Sequence, residues 1–265
     1  MTSHPVIEQM VARLAWRAVA DGEPIGRARL VIRPDRRCFA FFEDCRADAY
    51  EPLLAAITAE VSDDLHVTIN EANESGLERL QQLGFVESRR ESTFRVPTAP
   101  ELTGFADAGL PEGVTLVPAD RVDVDRLRLL DDALRADVPG TDGWTWDAAG
   151  FRDETFDPSY FDPATYLVAV DAASGGYVGL VRIWNPARGP RFGLVAVLPP
   201  YRHRGLARAL LARVFAVLHA RGHDTVTAQV DDSNAACRAL GGRELATWRI
   251  GGTIELVRRG ERRLA

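Results

Sequence analysis

Short apolar runs alternate with polar turns along the first half of the chain. Residues 14–20, 25–32 and 38–42 have the length and composition of β-strands, and the turn-forming segments D-G-E-P and R-P-D-R separate them. The pattern then predicts a helix at about 49–60, a strand at 65–69, a helix at 74–83 that stops at Gly84, and a strand at 92–96. This half therefore has the element order of an α/β unit.

The second half repeats this order with longer elements. Leu127, Leu130 and Leu134 share one face of a helix predicted at 122–136, and a longer apolar face continues along a helix at 206–221. The strands predicted around these helices are 114–117, 166–170, 177–184, 192–198 and 225–230. A short helix is predicted at 234–240, and a terminal hairpin of 244–250 and 253–258 is predicted to turn at Gly251 and Gly252.

The two halves read as two copies of one unit, joined by a linker rich in proline, glycine and small residues. We predict an α/β fold with a mixed sheet in each of two tandem domains. The predicted boundaries are a first domain at 1–97, a linker at 98–113 and a second domain at 114–265.

Composition narrows the function. The 32 basic residues are all arginine, and the absence of lysine excludes P-loop NTPases, protein kinases and pyridoxal enzymes, each of which needs a particular lysine. A net charge of −6 argues against a nucleic-acid partner. No uncharged run approaches the roughly 18 residues of a membrane span, so we expect no membrane and a cytoplasmic protein. The three cysteines lack metal-ligand spacing, so we expect reduced thiols and no metal.

The segment 195–211 carries the chemistry. It is an apolar strand ended by Pro199 and Pro200, a short loop that turns at Gly205, and the start of an amphipathic helix. The first amides of a helix have no intrahelical acceptor and lie at the positive end of its dipole, so such a loop binds phosphate. Arg202, Arg204 and Arg208 add positive charge beside those amides.

This segment resembles the acyl-CoA-binding signature of the GNAT acyltransferase superfamily, Q/R-x-x-G-x-G/A, which corresponds here to Arg202, Gly205 and Ala207 in R-H-R-G-L-A. About thirty residues on, Asn234 in V-D-D-S-N-A-A matches the family's asparagine. The resemblance covers roughly 114–259. Asn73 matches the same asparagine in the first half, but E-D-C-R-A-D-A-Y replaces the phosphate loop there. We therefore expect tandem GNAT domains, of which the first does not bind the coenzyme.

The resemblance implies an N-acetyltransferase that uses acetyl-CoA as co-substrate and lets the amine attack directly. Main-chain groups of Val195, Ala196 and Val197 would pair with the pantetheine, and an N–H near Val197 would polarise the thioester carbonyl. Asn234 would lie along the pantetheine. The pyrophosphate would be held by the amides of His203, Arg204, Gly205, Leu206, Ala207 and Arg208.

One part of the family pattern is missing. Many members have a tyrosine seven residues after the asparagine as a general acid, and Gly241 occupies that position here. No glutamate in the third strand can serve as the base, and Asp231 and Asp232 are more simply solvated turn residues. The catalytic residues are therefore unknown, and a non-catalytic acyl-CoA-binding sensor or interaction protein stays the alternative.

The acceptor is expected to be a small-molecule amine. In this family the loop between the first two helices forms the acceptor wall, and here it holds Trp144 and Trp146 beside Asp137, Asp142 and Asp147. Carboxylates next to aromatic faces suit a cationic amine. The alternative that the tryptophans pack the two halves together stays open, as does the choice between a monomer and a homodimer.

Overall fold

The computed structural model describes residues 5–10, 14–33, 36–105, 108–141 and 144–260. Within them the chain forms two compact units. The first comprises Met1–Glu91 with Gly251–Ala265, and the second comprises Ser92–Ile250. Each unit is built on a mixed sheet with helices packed against it, which confirms the predicted fold class. No helix in the described ranges is long and apolar enough to cross a membrane.

The first unit contains two helices and a mixed sheet. The helices are α1 (Tyr50–Glu60) and α2 (Glu74–Gln82). The strands are β1 (Val6–Gln9), β2 (Ala15–Ala20), β3 (Glu23–Ile32), β4 (Cys38–Glu43), β5 (Leu65–Asn70) and the first part of β6 (Val86–Pro97). β2, β3 and β4 form an antiparallel meander, and β4 runs parallel to β5. The elements predicted from the sequence are present, and the short, exposed β1 is additional.

The strands of the second unit are hydrogen-bonded in the order β6-β11-β10-β9-β8-β7. The new strands are β7 (Val114–Pro118), β8 (Tyr166–Asp171), β9 (Tyr177–Trp184), β10 (Arg191–Val197) and β11 (Thr225–Asp231). The helices are α3 (Pro100–Thr103), α4 (Val124–Arg135), α5 (Ala148–Thr155), α6 (Leu206–Ala220) and α7 (Ala235–Gly241). The sequence patterns predicted neither α3, in the linker, nor α5.

Two apolar layers enclose the strands of the second unit. On one face, α6 packs its buried leucines against Val181, Ile183 and Val197. On the other face, Leu127, Leu130 and Leu134 of α4 pack against Leu180 and Leu194. Alternate residues of β10 therefore face α4 and α6, as the two-residue period of a strand requires.

The end of the chain differs from the predicted hairpin. Arg243–Trp248 forms a 3₁₀ helix, and β12 (Arg249–Arg258) is one strand that continues through Gly251 and Gly252 instead of turning there. From Thr253 to Arg258 this strand pairs antiparallel with β5 of the first unit, and the N–H of Glu71 donates to the carbonyl of Gly252 at 3.1 Å. Unpaired β5 edge groups offer hydrogen bonds that a local hairpin would not satisfy.

The last strand of each repeat thus completes the sheet of the other. Residues 92–97 of β6 belong to the second unit beside β11, and residues 251–258 of β12 belong to the first unit beside β5. The sequence-based boundaries place 251–258 with the second half, whereas these residues pair within the first unit. Ile254 and Leu256 are accordingly buried in the core of the first unit.

Candidate acetyl-CoA and acceptor site

The β10 strand has one paired edge and one open edge. It pairs with β9 from Arg191 to Val197, but with β11 only where Arg191 lies opposite Thr227. The N–H of Leu198 donates to the carbonyl of Val178 at 2.9 Å. Because bonding directions alternate along an antiparallel strand, the main-chain groups of Val195 and Val197 point away from β9, toward the side where β11 diverges. These are two of the three residues predicted to pair with pantetheine. The main-chain groups of the third, Ala196, point toward β9.

A glycine turn follows this edge and leads into α6. Gly205 adopts a left-handed conformation with φ of 82°, and a Cβ built on it would meet no atom within 4 Å. His203 also has a positive φ, of 60°, and its side chain is exposed. No side chain caps the N-terminus of α6. Leu206 is buried, which fixes the helix, so its first amides face an open loop suited to an anion.

The arginines of the loop have different surroundings. The Arg202 guanidinium donates from Nε to the Val197 carbonyl at 2.9 Å and from a terminal nitrogen to Asp137 at 2.5 Å. Arg208 donates to the Gly104 carbonyl at 2.5 Å. Arg204 lies over the ring of Tyr201, 5.4 Å from its centroid, and forms no ion pair with a described carboxylate. Of the three loop arginines, Arg204 is thus the one with no side-chain hydrogen bond or ion pair among the described residues.

Asn234 caps the N-terminus of α7. Its side-chain oxygen accepts from the N–H of Cys237 at 2.9 Å, and Asn73 caps α2 in the same way through Gly76 at 3.0 Å. Since β10 and β11 run parallel, their carboxyl ends meet at one edge of the sheet. Asn234, which closely follows β11, therefore lies at the same edge as the Gly205 loop.

The expected acid and base positions have other contacts. A Cβ on Gly241 would lie 3.0 Å from Leu245, so this position has no room for a tyrosine without movement. Asp231 is buried and accepts from the N–H of Ser233 at 2.7 Å. Asp232 is exposed and accepts from the hydroxyl of Ser92 at 2.7 Å. Among the described residues no group of three or more potential ligands could hold a metal.

The acids of the predicted acceptor wall are engaged by the protein. Asp137 binds Arg202, and Asp147 caps α5 by accepting from the N–H of Gly150 at 2.8 Å. Asp142 lies outside the described residues. Trp144 and Trp146 pack together with ring centroids 4.5 Å apart, and Arg135 lies 5.3 Å from the Trp144 centroid. The Trp144 indole therefore contacts a cation of α4, where the sequence predicted a carboxylate wall.

Sequence reasoning missed a buried ionic cluster beneath β10. Asp131 of α4 is fully buried and binds Arg135 at 2.6 Å and Arg182 of β9 at 3.1 Å. Burial opposes the charge of Arg182, but Asp131 and Tyr166 raise its pKa, so it stays protonated. Burial also raises the pKa of Tyr166 to about 12, which keeps its hydroxyl neutral. The signal in the sequence was an arginine within the otherwise apolar run Y-V-G-L-V-R-I-W.

Gly193 joins this cluster to the open edge. It lies at an irregularity of the β10 ladder between Phe192 and Leu194. A Cβ at this position would lie 2.7 Å from the indole nitrogen of Trp184 and 2.9 Å from Nε of Arg182. Only glycine admits this close packing, and it brings the cluster within two residues of Val195.

Known proteins resemble this chain in sequence and in fold. Residues 128–243 match the acetyltransferase (GNAT) family. A mycothiol acetyltransferase of Clavibacter sepedonicus is 28% identical over 223 residues, which span 84% of this chain and 69% of that protein. A GCN5-related N-acetyltransferase from Sphaerobacter thermophilus has a similar fold, with a TM-score of 0.71, 21% identity and coverage of 95% of this chain and 82% of that chain.

A tandem arrangement recurs among solved structures. A tandem GNAT protein from the clavulanic acid biosynthesis pathway aligns with a TM-score of 0.62 at 12% identity, over 98% of this chain and 84% of that one. The alignment spans both units of the chain. The similarity to solved structures concerns the fold, and the sequence matches concern the family.

Proposed function

We propose how this chain, which belongs to the GNAT acetyltransferase family and is an N-acetyltransferase, carries out its reaction. Its second unit binds acetyl-CoA along the open edge of β10 and the start of α6, and it transfers the acetyl group to a small-molecule amine. The observation that carries this proposal is the continuous path from the main chain of Val195 and the N–H of Val197, which point away from β9, to the uncapped amides after Gly205.

Acetyl-CoA supplies an activated thioester, and the protein mainly orients it. Val195 offers main-chain hydrogen bonds to the pantetheine, and the N–H of Val197 donates toward the thioester carbonyl oxygen, where negative charge develops. The amides from His203 to Arg208 receive the pyrophosphate, with Arg204, which forms no ion pair with a described carboxylate, as the adjacent cation. Asn234 lies at the same edge. This arrangement accounts for a site built largely from backbone groups.

Proton transfers need little from side chains at this site. The departing thiol has an intrinsic pKa of about 8.5, close to that of cysteine, so it can leave as a thiolate without a dedicated acid. This agrees with Gly241, which has no side chain that could donate a proton. Water at the open edge is then the acceptor of the amine proton.

The first unit is proposed to bind no coenzyme. Its loop between β4 and α1 holds Asp44 in an ion pair with Arg27 at 3.0 Å and Asp48 in one with Arg46 at 2.8 Å. No glycine turn precedes α1, and Tyr50 is buried at the first position of that helix. Carboxylates in the place of the phosphate site repel the pyrophosphate.

The relative in Clavibacter is named a mycothiol acetyltransferase, after a small molecule. For this chain we propose only the class of acceptor, a small-molecule amine. The second candidate function, a non-catalytic acyl-CoA sensor, is favoured by Gly241 at the position of the family's tyrosine.

Turnover distinguishes the two functions. Release of free coenzyme A from acetyl-CoA is measured with a broad panel of small amines, for the wild-type chain and for Gly205→Glu and Gly205→Asn. Asparagine tolerates the left-handed conformation without adding charge, and glutamate places a carboxylate at the phosphate site. We expect amine-dependent release that Gly205→Glu abolishes and Gly205→Asn largely retains. Tight acetyl-CoA binding without release on any amine would favour the sensor.

A further inference from the structure

The Arg182 cluster comprises Asp131, Arg135, Trp144, Trp146 and Arg182, next to the open edge of β10. We propose that the acceptor amine also carries a carboxylate and that this cluster binds it. The proposal rests on the proposed function and names the substrate class of the same site.

Several buried donors in the cluster have no acceptor. The indole N–H groups of Trp144 and Trp146 and Nε of Arg182 are inaccessible to solvent and have no hydrogen-bond partner in the described structure. Arg182 as a whole is 3% exposed. A buried donor left unpaired destabilises the folded chain, because it has lost its hydrogen bonds to water without replacing them. Nε of Arg182 belongs to the buried ion pair itself, Trp144 contacts Arg135, which shares Asp131 with Arg182, and Trp146 packs on Trp144. These three unpaired donors indicate that a ligand supplies acceptor atoms.

The carboxylates beside these donors are already used. Asp131 accepts from Arg135 and Arg182. Asp132 accepts from Arg128 at 3.2 Å and from the N–H of Trp146 at 3.2 Å. A ligand that brought only further donors, such as a second ammonium group, would meet no free acceptor on these two residues.

The charge balance favours an anionic oxygen. The cluster and the adjoining ion pair of Arg128 with Asp132 together hold three guanidinium groups and two carboxylates, which leaves a formal charge of 3 − 2 = +1. Burial lowers the pKa of Arg191, and the nearby Arg188 and Arg182 lower it further, so positive charge is also dense at the adjoining end of β10. One carboxylate would balance the cluster and accept from its donors.

The position of the cluster suits an acceptor amine. Arg182 and Trp184 pack directly on Gly193, two residues before Val195. Two residues of strand span about 7 Å. A carboxylate bound at the cluster therefore leaves an amine a few bonds away near the edge where the thioester is proposed to lie.

Matched acceptors test the proposal directly. The probes are the standard α-amino acids with β-alanine and γ-aminobutyrate, the carboxamide of each, and glucosamine as a neutral polyol amine. We expect at least one free acid to exceed its own carboxamide, and glucosamine, at least ten-fold in kcat/KM. Equal or better transfer to the carboxamides or to glucosamine would overturn the proposal.

Variants of the cluster test whether the indole groups cause the preference for the free acid over its carboxamide. Trp144→Phe combined with Trp146→Phe removes both N–H donors and keeps aromatic rings. We expect KM for the preferred acid to rise at least five-fold, with the KM for acetyl-CoA unchanged and the carboxamide little affected. Trp248→Phe, outside the cluster, is the control. An equal loss for acid and carboxamide would contradict the assignment.

A binding measurement separates this proposal from the proposed function. Calorimetry of the chain saturated with coenzyme A reports acceptor binding without turnover. Acids that bind better than their carboxamides, in a chain that transfers to no amine, would sustain the carboxylate site and refute the transferase mechanism. Acetyl transfer to amines with no preference for the free acid, in either the kinetic or the calorimetric assay, would support the transferase mechanism and refute the carboxylate site.

Discussion

The guanidinium group of Arg202 lies 2.5 Å from the carboxylate of Asp137. Arg202 belongs to the Gly205 loop, and Asp137 lies just after α4, in the segment that leads to Trp144. The same guanidinium also donates from Nε to the Val197 carbonyl. The ion pair therefore links the proposed pyrophosphate site to the proposed acceptor wall.

Because of this ion pair, Asp137 competes with the coenzyme phosphate for the guanidinium of Arg202. Asp137→Asn removes the negative charge and frees Arg202, so we expect acetyl-CoA to bind about two- to five-fold more tightly. The gain is small because an exposed ion pair contributes about 1 kcal/mol or less. Calorimetric titration checks it, with the exposed Asp153→Asn on α5 as the control. Weaker binding in Asp137→Asn would show that Asp137 supports the loop.

The packing on Gly193 predicts that a substitution there impairs binding of the acceptor amine but leaves binding of acetyl-CoA unchanged. In Gly193→Ala the new methyl group would lie 2.7 Å from Trp184 and 2.9 Å from Arg182, so both side chains must move. We expect kcat/KM for the amine to fall at least ten-fold while the Kd for acetyl-CoA stays within two-fold of wild type. Gly109→Ala, where a Cβ meets nothing within 4 Å, is the matched control. Unchanged amine kinetics would remove the cluster from the acceptor site.

The close contact between Gly241 and Leu245 predicts that one substitution cannot restore the tyrosine that serves many GNAT members as a general acid. In Gly241→Tyr the side chain collides with Leu245, so we expect a lower melting temperature and no increase in kcat. Differential scanning fluorimetry and steady-state kinetics test both effects. Gly241→Ala serves as the control for added bulk without a hydroxyl. A kcat that rises only in the tyrosine variant would mean that proton donation limits the wild-type reaction.

The local signals of the site were readable in the sequence. The break at Pro199 and Pro200, the glycine turn and the apolar face of α6 are all determined by neighbouring residues, so the strand, loop and helix could be predicted together. Arg182 was visible as a charge in an apolar strand. Its partner could not be chosen, because Asp131 and Asp132 are adjacent and only the packing of α4 on β9 shows which one is buried.

Pairing between distant strands could not be predicted. His66 of β5 and Glu255 of β12 lie 2.9 Å apart, and 189 positions of sequence separate them. The pair of glycines before Thr253 is equally compatible with a local turn, and the alternation of apolar residues carries no information on which strand is the neighbour. The exchange of terminal strands between the repeats therefore emerges only from the structure.

This exchange predicts which unit a terminal substitution destabilises. Leu256 is fully buried in the core of the first unit, so Leu256→Ala is expected to lower the free energy of unfolding by about 2–5 kcal/mol. Hydrogen exchange should rise in α1 before it rises in α6. Ile250→Ala, at a side chain 52% exposed, is the control and should change stability little. Faster exchange confined to α6 would place the strand with the second unit.

The stoichiometry of acetyl-CoA binding tests the central claim most directly. Isothermal titration of the full chain is expected to give one site per chain, unchanged in number in Gly205→Asn and lost in Gly205→Glu. That result would assign the coenzyme to the start of α6 in the second unit. Two sites per chain, or one site retained in Gly205→Glu, would contradict the account.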